Sequence, residues 1–460
     1  MSVQENKAEL GTAPVGKLLF RLAIPTVVAQ LINMLYNIVD RIYIGHIPEV
    51  GSLALTGVGV CMPLIMIVSA FAALAGSGGA PRASIFMGKG QNENAEKTMA
   101  GCFSLLAIVS VILTAVLFLW SEDLLLAFGA SGNTIDYAMD YMRIYALGTI
   151  FVQFTLGMNA FITAQGFAKQ GMLSVMIGAV CNIALDPLFI FALDMGVKGA
   201  ALATILSQAA SCTWVLLFLT GKTTILKLKR QNLNLKPGVV LPCVALGTAT
   251  FIMQSTESLI AVCFNSSLLK YGGDVAVGAM TILTSVMQFA LLPMQGVGQG
   301  SQPIISYNYG AGNAQRVRST YKLLLITSLS YSMVIWLCIT LMPRVFAGIF
   351  TPDRTLLEFT AKALRIYVGG LGIFGIQMAC QMAFVSLGNA LCSVTVAVMR
   401  KIVLLLPLIY LLPNFMEDKT MAVYTAEPVA DVLSVTFTAI LFFLVFRKAM
   451  RKLEEKKLTE

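Results

Sequence analysis

The sequence predicts an all-α polytopic membrane protein of twelve transmembrane helices, arranged as two parallel six-helix repeats. Three observations lead there. Of 460 residues, 57% are hydrophobic and 12% charged, with mean hydropathy +0.80, far from a soluble domain. Apolar runs of roughly 20 residues, the length that crosses ~30 Å of hydrocarbon, recur along the whole chain. The chain also superimposes on itself at a constant offset of 222 residues.

The apolar runs lie, in order, near 18–44, 52–77, 98–120, 140–164, 171–193 and 199–219, then 240–266, 274–299, 320–342, 362–386, 393–413 and 424–446. The first is too long for a signal peptide and lacks a small-residue cleavage pattern, so it is expected to stay as a helix. Between the sixth and seventh runs stands the basic segment GKTTILKLKRQNLNLKPG, 221–238. It divides an N-lobe (1–220) from a C-lobe (239–460).

The repeat fixes orientation. Pro81 falls on Pro303, Gly88 on Gly310, Gly90 on Gly312, Arg143-Ile144-Tyr145 on Arg365-Ile366-Tyr367, and Gly166 on Gly388. Six crossings per repeat is even, so both repeats enter the bilayer in the same direction, related by an axis along its normal. Two such bundles facing each other enclose a central cleft, the geometry of alternating access in secondary transporters.

The net charge of +9 does not imply a nucleic-acid partner. Lys7, Lys17, Arg21, Arg82, Lys89, Lys97, Lys169, the linker, Arg316, Arg318, Lys322 and the run from Arg447 to Lys457 all fall on one side of the membrane, as the positive-inside rule requires. That places both termini in the cytoplasm. The nine cysteines sit in or beside apolar runs without a CxxC pair and read as packing residues.

Comparing the repeats isolates candidate functional residues. Asp40 corresponds to Val262, Asn182 to Leu404, Asp186 to Leu408 and Thr204 to Ala426. The N-lobe thus carries a polar cluster whose C-lobe counterpart is apolar. Gln30, Asn33, Asn37 and Asp40 share one stripe of the first helix, and Asn182 and Asp186 are one turn apart on the fifth. A charge near mid-bilayer costs at least ~3 kcal/mol, so such acids face the bundle interior. There, two acids with amide and hydroxyl oxygens can hold a sodium ion or share protons. The rival readings are a salt bridge from Asp40 to Arg41 and a capping role for Asp186 beside Pro187.

Elsewhere, Gln254 and Glu257 on the seventh helix, Gln288, Gln295, Gln299 and Gln302 on the eighth, and Gln377 and Gln381 on the tenth form a C-lobe substrate or ion site, or serve as interhelical hydrogen-bond glue. Asp431 is expected to lie too near the outer surface to matter. The many Met and Phe residues suit a cleft that accepts varied hydrophobic molecules.

Several segments together resemble one family. IPTVVAQLINMLYNIVDRIYIG of the first helix, NIALDPLFIF of the fifth, and the loops GKGQNENA and GAGNAQRV resemble the multidrug and toxic compound extrusion (MATE) family, in its MepA-like and DinF-like bacterial branch. The resemblance covers nearly the whole chain. It implies V-shaped lobes in a bacterial inner membrane, and a monomer that exports organic, often cationic, compounds in exchange for H+ or Na+, with no further cofactor. It places the coupling-ion site on Asp40, Asn182, Asp186 and Thr204, and a gating bend at Pro25. In another branch an acid on the seventh helix is essential and matches Glu257, but that branch's tenth-helix acid has no match between Leu371 and Leu387. A flippase for a lipid-linked precursor is the alternative, which would draw on Arg143, Arg365 and the Arg400-Lys401 pair for pyrophosphate. A membrane enzyme ranks below both, as the chain has neither HExxH nor GxSxG.

Overall fold

The computed structural model describes the backbone of residues 9–459 and side chains as far as residue 455. Lys7, and the side chains of Lys456 and Lys457 from the basic tail, lie outside the described residues. In hydrocarbon every backbone N–H and C=O must find a partner within the protein, so the apolar runs fold as helices. Eleven helices among the described residues are long and apolar enough to cross a bilayer. One of them, Pro237–Gly310, is two: at Gly273 the backbone takes φ 65° and ψ −162°, a combination open in practice only to glycine.

The twelve crossings are therefore α1 (Val15–Gly45), α2 (Gly51–Gly88), α3 (Asn92–Leu119), α4 (Ile135–Ala164), α5 (Ala168–Ala192) and α6 (Gly196–Thr220) in the first repeat. The second holds α7 (237–272), α8 (274–310), α9 (Ala314–Leu341), α10 (Arg354–Ser386), α11 (Ala390–Asn414) and α12 (Lys419–Glu455). Most overrun the apolar runs that announce them. The second, expected over 52–77, continues to Gly88 because its polar final turns still bury Ala80, Ala83 and Met87.

The repeat is visible atom by atom. Ser84 Oγ donates to Ala164 O at 2.7 Å, and Ser306 Oγ to Ser386 O at 2.8 Å, the same bond 222 residues later. Gly90 and Gly312 turn the chain with φ of 75° and 74°, and Gly166 and Gly388 with 88° and 72°.

The two repeats meet along α1, α2, α7 and α8, and glycine permits the approach. A Cβ on Gly88 would stand 1.9 Å from Tyr307 O, and one on Gly310 would stand 2.0 Å from Ile85 O; these are the same contact seen from either repeat. Gly78 and Gly247 fit against Cys243 O and Leu74 O in the same way, and Gly296 and Gly300 against the backbones of Val27 and Ala23. Thr26 Oγ1 donates to Gly296 O at 2.6 Å, and Phe71 meets Phe251 edge-on at 4.9 Å. These contacts lie on the halves of α1, α2, α7 and α8 nearest the linker. Toward the opposite end, Leu35, Ile38 and Ile42 of α1 and Leu259 and Val262 of α7 are exposed. The lobes thus close at the linker end and part at the other.

The linker is fastened to the first repeat. The carboxamide oxygen of Gln165 accepts from Thr224 Oγ1, Ile225 N and Leu226 N at 2.7–2.9 Å. Glu96 accepts from Lys227 N at 3.1 Å and Lys229 Nζ at 2.6 Å.

Candidate functional site

Asp186 stands in the last turn of the α-helical part of α5, which ends at Pro187. Proline has no N–H to give, and the helix continues as a π-helical turn, Leu188–Ala192. Asp186 is fully buried and Asn182, one turn earlier, is 1% exposed. Asn182 Nδ2 donates to Asp186 Oδ1 at 3.3 Å. From α1, Asp40 reaches the same point, and the two carboxyl groups lie within hydrogen-bonding reach of each other. Arg41 is exposed, so the group that Asp40 meets is another acid and not its basic neighbour.

Three oxygens here are buried without a partner: Asp40 Oδ1, Asn182 Oδ1 and Asp186 Oδ2. Two facing carboxylates with unused lone pairs require a cation between them, a proton or a metal ion. Thr204 on α6 spends its proton on Ala200 O at 3.0 Å, which leaves its oxygen free to accept. Among the described residues no group of three or more His, Cys, Asp and Glu side chains forms a metal site. A hard monovalent ion would rely on the two acids together with the Asn182 and Thr204 oxygens.

Two tyrosines missed in the sequence complete the surroundings. Tyr141 of α4 lies within hydrogen-bonding reach of Thr204, and Tyr36 of α1 within reach of Asn37 and Gln208. Aromatic residues are common throughout such helices, so nothing in the sequence singled these out. Next to the acids opens a small cavity of about 40 Å³ whose polar lining includes Asn33, Tyr36, Asn182, Thr204, Ser207 and Gln208.

The predicted α1 stripe is divided. Asn33 lines this cavity and Asn37 Nδ2 returns to Asn33 O at 2.6 Å, whereas Gln30 crosses to α8 and donates to Gln299 Oε1 at 3.3 Å. Pro25 is buried in an unbroken α1, and beside it the Thr26 hydroxyl that donates to Gly296 O also stands 2.8 Å from Ala23 O.

The C-lobe corrects the sequence reading in two respects. The positions equivalent to the N-lobe acids are apolar, but the lobe is not. Asp431, expected near the outer surface, is 1% exposed and accepts from Arg400 Nε at 2.9 Å. Glu427, which the sequence reading passed over, accepts from Arg400 Nη2 at 2.9 Å. Two acids one turn apart on α12, matched by two adjacent bases inside α11, were the available signal. Glu257 accepts from Lys401 Nζ at 2.8 Å and is exposed, as are Gln254 and Gln288. Gln377 and Gln381 of α10 line a C-lobe cavity, and Gln381 Nε2 donates to Ser393 Oγ at 2.9 Å. Gln254 and Gln288 are not brought into that cavity.

The family model MatE matches residues 25–188 and again 249–411, once in each repeat. The chain belongs to the MatE family. The multidrug export protein MepA of Staphylococcus haemolyticus (strain JCSC1435) is 24% identical over 367 residues, covering 78% of this MatE chain and 79% of that protein. MepA of Staphylococcus aureus (strain MRSA252) is 22% identical over 404 residues, covering 87% and 88%. Among solved structures, MATE in the bent conformation superimposes with TM-score 0.90 at 22% identity, over 98% of both chains. The outward-facing conformation of a multidrug resistance MATE family transporter gives 0.87 over 97% and 98%, also at 22% identity. The MatE chain therefore shares the MATE fold with two parallel six-helix repeats.

Proposed function

We propose that this chain is a cation-coupled multidrug efflux antiporter that exports organic, often cationic, compounds by alternating access. The observation that carries the reading is the meeting of Asp40 and Asp186 in the first repeat, with three partnerless buried oxygens beside a polar cavity. The names of the MepA relatives support the substrate class.

In the mechanism, the coupling ion, H+ or Na+, enters from the open end and neutralises Asp40 and Asp186, with Asn182 and Thr204 completing its contacts. An ion moving down the membrane field releases ~2.3 kcal/mol per charge per 100 mV, and its concentration gradient adds to this; outward transport of drug draws on the two together. Neutralisation removes the repulsion between the two carboxylates and so changes the packing that α1 and α5 prefer. The first repeat then repacks about Pro25, where the helix lacks one backbone hydrogen bond, and drug leaves the outward cleft. Drug binding from the cytoplasm in turn expels the ion, by linkage. We place both termini and the linker in the cytoplasm, with the two lobes, 1–220 and 239–460, moving about the α1–α2–α7–α8 contacts in a monomer of the bacterial inner membrane.

Dye efflux from proteoliposomes under an imposed pH gradient or Na+ gradient, wild type against Asp40→Asn, tests the reading. Export driven by one gradient and lost in the variant names the ion and its site; export unchanged in the variant removes this site. The flippase reading is not favoured, because Arg400 and Lys401, which it needs for pyrophosphate, are paired with carboxylates.

A further inference from the structure

The charge cluster of the second repeat has no part in the mechanism above. Segment Met399–Leu405 of α11 is π-helical, and both of its successive cations, Arg400 and Lys401, face inward at 6% exposure each. On an α-helix, neighbours point about 100° apart, so two adjacent buried charges mark a departure of the kind found at functional sites. Arg400 lies over the Phe374 ring of α10, 4.5 Å from its centre, and holds Glu427 and Asp431 of α12. Lys401 holds Glu257 of α7. Tyr367 of α10 stands against the same carboxylates.

Three carboxylates thus face two fixed cations. Asp431 Oδ2 is buried without a hydrogen-bond partner, so the cluster has room for one further monovalent cation, a proton or an organic cation. The Lys401 ammonium is close to Glu427 and Asp431 as well as to Glu257. Of the three acids only Glu257 is open, its side chain 50% exposed. It sits between the face of α7 that meets α2, where Phe251 touches Phe71 and Ser258 lies 4.0 Å from Met66, and the face packed on α11. A cavity about the size of one water, lined by Met253, Gln377, Gln381, Arg400 and Lys401, lies on the other side of Lys401.

We propose that this cluster is a second organic-cation site in which Lys401 is a tethered competitor. A monovalent organic cation takes the Glu257 carboxylate from the cleft, and the Lys401 ammonium shifts to Glu427 and Asp431, where Asp431 Oδ2 has no partner. The cluster takes one such cation, because it has room for one. The proposal rests on the reading of the chain as an exporter of organic cations, and assigns the second lobe its share of recognition.

Equilibrium binding of ethidium to the purified full-length chain, read by fluorescence polarisation, tests it. Lys401→Met removes the competitor and is expected to tighten binding about fivefold or more, while Lys401→Arg restores a competing charge and stays near wild type. Asp431→Asn removes the charge that receives Lys401 and is expected to weaken binding by about the same factor. A merely structural ion-pair network would make both changes weaken binding or leave it alone. Lys401→Met binding no tighter than wild type, at an unaltered melting midpoint, overturns the proposal; so does unchanged binding in Asp431→Asn if Lys401→Met does not fold. Wild type that exports dye while Lys401→Met gains no affinity removes this proposal alone. Wild type that neither binds ethidium nor exports dye under either gradient removes the exporter reading with it.

Discussion

Asp40 and Asp186 divide the work of the first repeat with the neutral groups around them, and single substitutions separate the parts. Asp186→Asn keeps the shape and the Asn182 contact but removes one of the two charges, so ion-driven dye export should fall by an order of magnitude or more while dye binding persists; proteoliposome flux set beside equilibrium binding checks this. Tyr141→Phe deletes the hydroxyl that lies within hydrogen-bonding reach of Thr204, a contact worth about 1 kcal/mol, and should raise the ion concentration for half-maximal export roughly fivefold. At this scale the sequence was legible where it broke its own symmetry. Asp40 and Asp186 stood out because Val262 and Leu408 occupy the matching places. Glu427 breaks the symmetry in the other direction, opposite Ile205, as a charge gained by the second repeat, and Asp431 stands near the start of an apolar run, a place that by itself points to the outer surface. A residue can stand near the end of an apolar run and still be 1% exposed when the helix begins earlier, as α12 does at Lys419.

Individual helices were the most legible part of the molecule, because a bilayer leaves a 20-residue apolar run almost no alternative to a helix. Their ends were less so: polar terminal turns of α2 and α12 lie beyond any hydropathy signal yet remain helical. The junction of α7 and α8 turns on one residue. Gly273→Ala forces a side chain into φ 65°, ψ −162°, at a cost of about 1–3 kcal/mol, and should lower the thermal midpoint of the purified protein by several degrees. The π-helical turns, one in α5 beside Asp186 and one in α11 around Arg400, occur in the same helix of each repeat but not at equivalent residues. Each has a proline beside it: Pro187 precedes the first, and Pro407 follows the second, where its missing N–H leaves the Val403 carbonyl without its α-helical donor.

How the two bundles sit together was legible only as a parity argument, since contacts between lobes depend on backbone approach and not on side-chain pattern. Cys102 of α3 and Cys243 of α7 lie within hydrogen-bonding reach across that boundary. A short bifunctional thiol reagent should therefore join them, found by mass spectrometry as a linked peptide, and the joined protein should stop exporting. Gly88→Ala puts a methyl group against Tyr307 O, costs the closed arrangement about 1–3 kcal/mol, and should reduce the yield of that link. The same glycine contact has a further consequence. Gly88 on Tyr307 and Gly310 on Ile85 are one contact made twice, as in the self-complementary interface of a homodimer whose two-fold axis passes between the subunits. Two separate copies of a six-helix chain could have assembled in this way without any linker. Joining them in one polypeptide keeps the symmetric joint while freeing each half to acquire its own charges, acids alone on α1 and α5, acids with their counter-ions on α7, α11 and α12.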